Sequence, residues 1–594
     1  MRERWRELGF LVRMSIRTDP WRSLGTLLGP LGRLMYPLFG WFLGILADGV
    51  LTRDTSTLVL GAAGVLLTIA LSYLSNYVGT AIRVGLAERV GFAFDREIAR
   101  LASDLPGIEH HERRDYLDRL ELLRQNQGLL GQSLNHIIAT VNAVVGALGT
   151  ALVLLLLHPV VLLLVLFALP ALPIATLQQR WHSEAEVTSA APARLARHLR
   201  GLSVEQNAGM ELRVFGLQHE VLARMGSAWN QARQPMHRAE FKAAIVSTAR
   251  SLVFAVGFAL AVGFVLWRAT RGQASAGAVI TAVVVCQQVQ NQILGPAYSV
   301  AGLGRVLRAA GRLLWLQDYA AGVAARGTGT RPAPEQLAHG IEFDRVSFRY
   351  PDTSDRWILR DVSLRLPAGA VVALVGENGA GKTTLVKLLC RLYEPTEGRI
   401  LVDGVDLSQI AVDAWRARLS AAFQDFLRLE LVARRTVGVG DLPRRDDAAA
   451  VGAALDGAGA QDVVTHLPAG METQLGSRWE NGVDLSTGQW QKLALGRALM
   501  RAAPLVLFFD EPTASLDAPT EHALFERYAA ASRQRAASGA ITLLVTHRFS
   551  TVRSADLILV VDEGRVSEWG SHEELMERAG LYAELYSLQA HSYR

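Results

Sequence analysis

Residues 376–383 read Gly-Glu-Asn-Gly-Ala-Gly-Lys-Thr, which fits the phosphate-cradling pattern G-x-x-x-x-G-K-[ST]. Gly376, Gly379 and Gly381, with Glu377, Asn378 and Ala380 between them, let the backbone wrap a phosphate in a nest of N–H donors. The helix that begins at the loop's end adds the positive end of its dipole. Lys382 supplies a full charge for β- and γ-phosphates, the Thr383 hydroxyl is placed for Mg²⁺, and Thr384 follows it. Lysine occurs at only four positions, 242, 382, 387 and 492, so chance would produce this pattern in roughly 1 chain in 300 of this length. Val371 to Val375 reads as a buried strand and Leu385 onward as a helix. The chain is therefore expected to bind a nucleoside triphosphate.

Two further stretches could act on that ligand. Leu507-Phe508-Phe509 is an apolar strand that ends in Asp510 and Glu511. Asp510 would hold Mg²⁺ and Glu511 would orient the attacking water. Paired acids after a strand are a weak signal alone and a strong one behind a phosphate loop. Leu485-Ser486-Thr487-Gly488-Gln489 precedes a helical run from Trp490 to Met500. Ser486 is either a helix N-cap or, with the Gly488 N–H, a second grip on a γ-phosphate.

The elements that must carry these residues divide the chain. Its 594 residues exceed one compact domain, and the composition, 50% hydrophobic and 20% charged, is oily. The mean hydropathy is +0.19. Apolar runs are long before about residue 320 and short after about 340. Six segments have the length of a membrane span, near 25–47, 58–79, 134–157, 159–178, 245–267 and 277–299. His158-Pro159 leaves room only for a tight turn between the third and fourth. Segments 80–133 and 179–244 are long, polar and rich in Arg, whereas 48–57 and 268–276 are short. The positive-inside rule then places the long connections and both termini in the cytoplasm. Two readings of the long connections stay open: solvated loops, or helices that run on and end in cross-helices near 104–116 and 206–218. Gln287, Gln288, Gln290, Asn291 and Gln292 in the sixth segment either line a substrate pathway or bond neighbouring helices. Residues 321–340 read as a Gly/Pro-rich linker. Two cysteines, Cys286 and Cys390, suggest no disulfide framework. The net charge of +5 comes mostly from dispersed Arg, so no nucleic-acid partner is expected. No cleavable signal peptide is evident.

In this order the residues resemble an exporter-type ABC half-transporter along essentially the whole length. The resemblance implies a membrane all-α six-helix domain with long cytoplasmic helical extensions (1–320), plus an α/β P-loop NTPase domain of ABC type (341–594). It implies that Tyr350 stacks on adenine and that Gln424 senses Mg²⁺ and the membrane domain. Ser486 to Gln489 then form the signature motif, Asp517 the D-loop acid and His547 the γ-phosphate switch. Thr487 departs from the usual glycine, and Asp425 to Glu430 lacks the usual Glu-Asn. The implied activity is ATP-driven export of an amphipathic peptide, lipid or drug-like molecule from the inner membrane, by two half-transporters that sandwich Mg-ATP. A homodimer is the first expectation and a heterodimer the second. An exporter-fold importer of a siderophore or cofactor shares every motif. A soluble P-loop ATPase acting on nucleic acid lacks the six apolar segments. A peptide-processing exporter with its own cysteine protease has no cysteine before position 286 to work with.

Overall fold

The computed structural model describes residues 2–326, 329–351, 356–511, 539–546 and 552–592. The chain forms two compact units, one of residues 1–100 with 121–316 and one of residues 101–120 with 317–594.

The first unit is helical among its described residues. An opening helix, Arg2–Thr18, leads to Asp19, which caps the short helix Pro20–Gly25 by accepting from the Arg22 N–H at 3.1 Å and pairs with Arg89 at 2.9 Å. Segments Pro20–Thr52, Thr55–Ser103, Ser133–Leu157, Pro159–Val204 and Gln218–Thr270 are long and apolar enough to cross a membrane. They contain the first five expected spans, and the chain is a multi-pass membrane protein. The sixth expected span lies in the helix Ala276–Arg326, whose described apolar stretch is Ala276–Gln290. Thr55–Ser103 alone has 49 residues. At the helical rise that is about 75 Å, more than twice the hydrocarbon thickness. Of the two readings of the long connections, continuing helices is the one observed.

Small residues let the helices approach. A Cβ on Gly44 would lie 2.6 Å from the Gly277 carbonyl oxygen, so this crossing needs glycine. The polar amides of the last helix serve the same packing. Gln288 Nε2 donates to the Tyr36 carbonyl at 3.2 Å, and Gln290 Nε2 donates to Ser251 Oγ at 3.3 Å. Gln292 is buried against Gly146. Only Gln287 is exposed, and the Asn291 side chain lies outside the described ones.

The cross-helix expected near 206–218 is present as Gln206–Val214, with the next helix starting at Gln218. The one expected near 104–116 is not a helix across that range. It is a bend with one 3-10 turn, Glu109–His111, and the α-helix begins only at Arg114. Pro106 and Gly107 break the helical run. This segment packs within the second unit: the Ile108 N–H donates to the Leu392 carbonyl at 3.2 Å, and Arg416 donates to the Pro106 carbonyl. The linker expected over 321–340 is also more ordered than its Gly and Pro content suggested. Helix continues to Arg326, and Arg331 pairs with Ile410. Asp403 accepts from the N–H groups of Ala338, His339 and Gly340 at 2.9, 2.7 and 2.9 Å.

The second unit carries two sheets. The smaller is antiparallel in the order β2-β1-β4-β5: β1 Gly340–Phe348, β2 Leu359–Pro367, β4 Glu397–Val402 and β5 Val405–Asp406. The larger has the order β10-β9-β3-β8-β7-β6. It contains β3 Val371–Val375, β6 Leu419–Ala422, β7 Val506–Asp510, β8 Ile541–Val545, β9 Leu557–Asp562 and β10 Arg565–Gly570. Its pairings are parallel except β9 with β10. Parallel strands covered on both faces need continuous apolar runs, and every residue of β7 and β8 is buried. The register aligns Leu374 with Val545 and Val545 with Asp510. The acid is therefore two strands, about 10 Å, from the strand that enters the phosphate loop.

Candidate nucleotide-binding site

The loop between β3 and the helix Lys382–Leu389 lines a cavity of about 920 Å³. Gly376 adopts φ +145°, and a Cβ there would sit 2.1 Å from the Val561 carbonyl oxygen. Gly381 adopts φ +110°, with Leu359 Cδ2 at 2.8 Å from the same imagined atom. Only glycine fits either place, which accounts for two of the motif's fixed positions by conformation and space.

Gly376, Glu377, Asn378, Gly379, Gly381, Lys382, Thr383, Thr384, Tyr350, Gln424 and Glu511 all face this cavity. Ala380 is buried behind it. Lys382 Nζ donates to the carbonyls of Gly376 and Glu377 at 2.9 and 2.8 Å. Burial holds its pKa below the usual lysine value, against the pull of Glu511 and Asp510. Asp510 is raised to about 6, first by burial and then by the neighbouring Glu511 carboxylate, while a hydrogen bond from Thr383 opposes the rise. Glu511 itself turns out of β7 with φ +46° and its N–H donates to the Val545 carbonyl at 2.9 Å. That left-handed bend is strained for a non-glycine residue and brings its carboxylate to the cavity.

Tyr350 is braced edge-on by Phe348 and Tyr393, at ring distances of 4.9 and 5.3 Å, and its hydroxyl lies 3.2 Å from Thr384 Oγ1. Two apolar lining residues escaped the motif search. Ile358 precedes β2, and Leu585 comes from the terminal helix Leu581–Ser592. Neither has a spacing signal to find it by.

The signature segment does not line this cavity. Ser486 caps the helix Thr487–Leu499 in a reciprocal box: its Oγ accepts from the Gln489 N–H, and Gln489 Oε1 accepts from the Ser486 N–H. Thr487 Oγ1 accepts from Arg428 Nη2 at 3.3 Å. The two departures from the family pattern thus touch each other, a link invisible in the linear order. Gly488 follows in the first turn. Asp517 and His547 lie outside the described residues.

Residues 359–514 match the family described as ABC transporter. Over 97% of its length the chain superposes on 98% of a bacterial Atm1-family ABC exporter solved with ATP bound, with TM-score 0.73 and 25% identity. Residues 359–514 thus form an ABC transporter domain, and the chain as a whole has the fold of an Atm1-family ABC exporter. It is 42% identical over 257 residues to an ATP-dependent lipid A-core flippase of Alkalilimnicola ehrlichii, 43% of this chain and 42% of that one. It is 36% identical over 358 residues to the flippase of Bordetella avium, 60% of this chain and 58% of that one. Against an ATM1-type heavy metal exporter of Novosphingobium aromaticivorans it is 33% identical over 383 residues, 64% of this chain and 60% of that one. The chain therefore spans between about two fifths and three fifths of the curated relatives it matches.

Proposed function

We propose that the protein uses ATP hydrolysis to export an amphipathic molecule, with its termini and nucleotide-binding domain in the cytoplasm and its apolar helices in the inner membrane. One observation carries the reading: a cavity lined by the Gly376–Thr384 loop and Glu511, with buried Asp510 bonded to its Thr383, belongs to the same chain as five apolar helices of membrane-spanning length. In this account Tyr350 takes the adenine, the Gly376–Thr384 loop takes the phosphates and Lys382 neutralises the β- and γ-oxygens. Glu511 and Gln424 hold the attacking water in line.

The acidic end fits a Mg²⁺ ion, because the buried Asp510 carboxyl sits beside Glu511, which pushes its pKa up, and is already bonded to Thr383. No group of three or more His, Cys, Asp or Glu among the described residues could hold a metal by itself. Thr383, Asp510 and Gln424 would hold the ion together with phosphate oxygens and water. When bound, it would neutralise charge on the transferring phosphoryl group.

Ser486, Thr487, Gly488 and Gln489 do not face this cavity, so a second copy of the chain is needed to present them to the γ-phosphate, with Asp517 and His547. ATP then favours the closed pair and hydrolysis releases it, a switch by differential affinity. Segment 101–120 is packed within the nucleotide-binding unit and is continuous in sequence with the helix Thr55–Ser103, a covalent route by which closure reaches the membrane unit. The test is ATP-dependent movement of a labelled amphiphile in sealed proteoliposomes, wild type against Glu511→Gln. Efflux lost in the variant supports the reading. ATP-driven uptake would assign import instead, and movement indifferent to ATP would sink it.

A further inference from the structure

A second polar cavity, of about 420 Å³, lies wholly in the membrane unit. Its polar lining comes from three helices: Arg33 on Leu28–Thr52, Asn76 and Arg83 on Thr55–Ser103, and Asn135, His136 and Asn142 on Ser133–Leu157. None of its lining residues is Asp or Glu. The six expected spans contain no Asp or Glu at all, yet they contain Arg33, Arg250 and His136. A cation at this depth without a protein counter-ion is costly and marks a functional site by default.

The local bonding leaves that charge unmet. The Arg33 guanidinium lies 5.7 Å from the Tyr36 ring centroid, and Arg83 Nη2 donates to Thr80 Oγ1 at 2.8 Å. Neither has an ion pair among the described residues. Acceptors are unmet too. Asn135 Oδ1 and Asn142 Oδ1 are buried without a hydrogen-bond partner, and a buried polar atom left so is expensive. The Asn135 amide is committed on its other side, its Nδ2 donating to the Arg83 carbonyl at 3.4 Å. His136 packs against Gly302, where an added Cβ would lie 2.8 Å from Nδ1, so the last helix closes one side. The occupant that satisfies both demands is an anion for the guanidinium groups that also carries hydroxyl or amine donors for the two amide oxygens. The positive-inside reading puts this end of the helices in the cytoplasmic leaflet, with Arg33 inside the first expected span and Arg83 beyond the second on the headgroup side.

We propose that this cavity is the headgroup subsite for the transported amphiphile and selects an anionic headgroup bearing hydroxyl or amine donors. The inference rests on the export reading for its purpose but not for its test. Full-length protein in phosphatidylcholine nanodiscs, without nucleotide, is titrated with phosphatidylglycerol, whose phosphate and glycerol hydroxyls match both demands. Phosphatidylglycerol is expected to bind at least about tenfold more tightly than phosphatidylcholine of the same chains. The preference should vanish in R33Q/R83Q and largely survive in R33K/R83K, which guards against misfolding of the glutamine variant. Equal binding of the two lipids, or a preference that persists in R33Q/R83Q, overturns it. Full competition by millimolar inorganic phosphate would assign the cavity to a soluble anion and overturn the amphiphile. Because nucleotide is absent, failure of ATP-driven export leaves this result readable. Export of an uncharged amphiphile unaffected by phosphatidylglycerol would remove the subsite and leave export standing.

Discussion

The two cavities handle negative charge in opposite ways. The nucleotide cavity is built around one continuous glycine-bearing loop with one lysine, and Glu511 reaches it from the end of a strand two places away. Its excess of acid calls for a metal. The membrane cavity is built from side chains on three helices, with guanidinium groups and orphaned amide oxygens and no acid. Its excess of cation calls for an anion. A site made from a continuous loop has a spacing that can be read in one dimension. A site made from helix faces brought together by packing does not, since Arg33, Arg83 and Asn142 share no pattern in the sequence.

The comparison breaks first at the chemistry. Glu511→Gln should lower ATP turnover at least about a hundredfold while leaving ATP bound, as measured by phosphate release and by retained labelled nucleotide. Turnover near wild type would remove Glu511 from its role. Lys382→Ala should weaken ATP binding by about a hundredfold, because it deletes a charge held at the phosphates. If the cavities are independent binding sites, isothermal titration should find phosphatidylglycerol affinity within about twofold of wild type in that variant. A parallel loss of both would mean the two sites are not separable. Tyr350→Ala should cost about tenfold in ATP affinity, the scale of one base–aromatic stack, with a smaller loss for Tyr350→Phe. Equal losses in the two would point to the hydroxyl contact with Thr384 instead.

What was legible follows the same division. The phosphate loop, Glu511, Gln424 and Tyr350 are read from spacing and family likeness, and the structure gathers them at one cavity, with Asp510 buried beside it and bonded to Thr383. The apolar runs gave the membrane helices because the bilayer imposes a length. Three kinds of feature were not legible. The bend at 104–113 depends on where Pro106 and Gly107 meet Leu392 and Arg416 in another part of the chain. The ordering of 331–340 depends on Asp403, more than sixty residues later. The contact of Arg428 with Thr487 joins two oddities that are 59 residues apart. Thr487→Gly would restore the common motif and leave Arg428 without that acceptor. Each is a tertiary event, and composition carries no trace of it.

The smallest effect expected is a pH dependence confined to the nucleotide cavity. Asp510 is raised to about 6 from 3.8, chiefly by burial and by Glu511. A carboxyl group raised in this way holds its proton in the folded state at pH values where the unfolded chain has released it. Its contribution to stability is therefore present at low pH and is lost as pH rises from about 4 to about 6. Without nucleotide, Asp510→Asn should then melt slightly above wild type at pH 7.5 and show no such gain at pH 4. Metal binding has the opposite sign, because the ligand must be ionised. Apparent Mg²⁺ affinity measured with ATP present should fall about twofold from pH 7 to pH 6, and about tenfold per unit well below that. No Asp or Glu lines the membrane cavity, so no carboxyl titration of this kind exists there. A Mg²⁺ dependence that is flat from pH 7 to pH 5 would mean the buried acid is already ionised, and with it the charge excess that distinguishes this cavity would be misassigned.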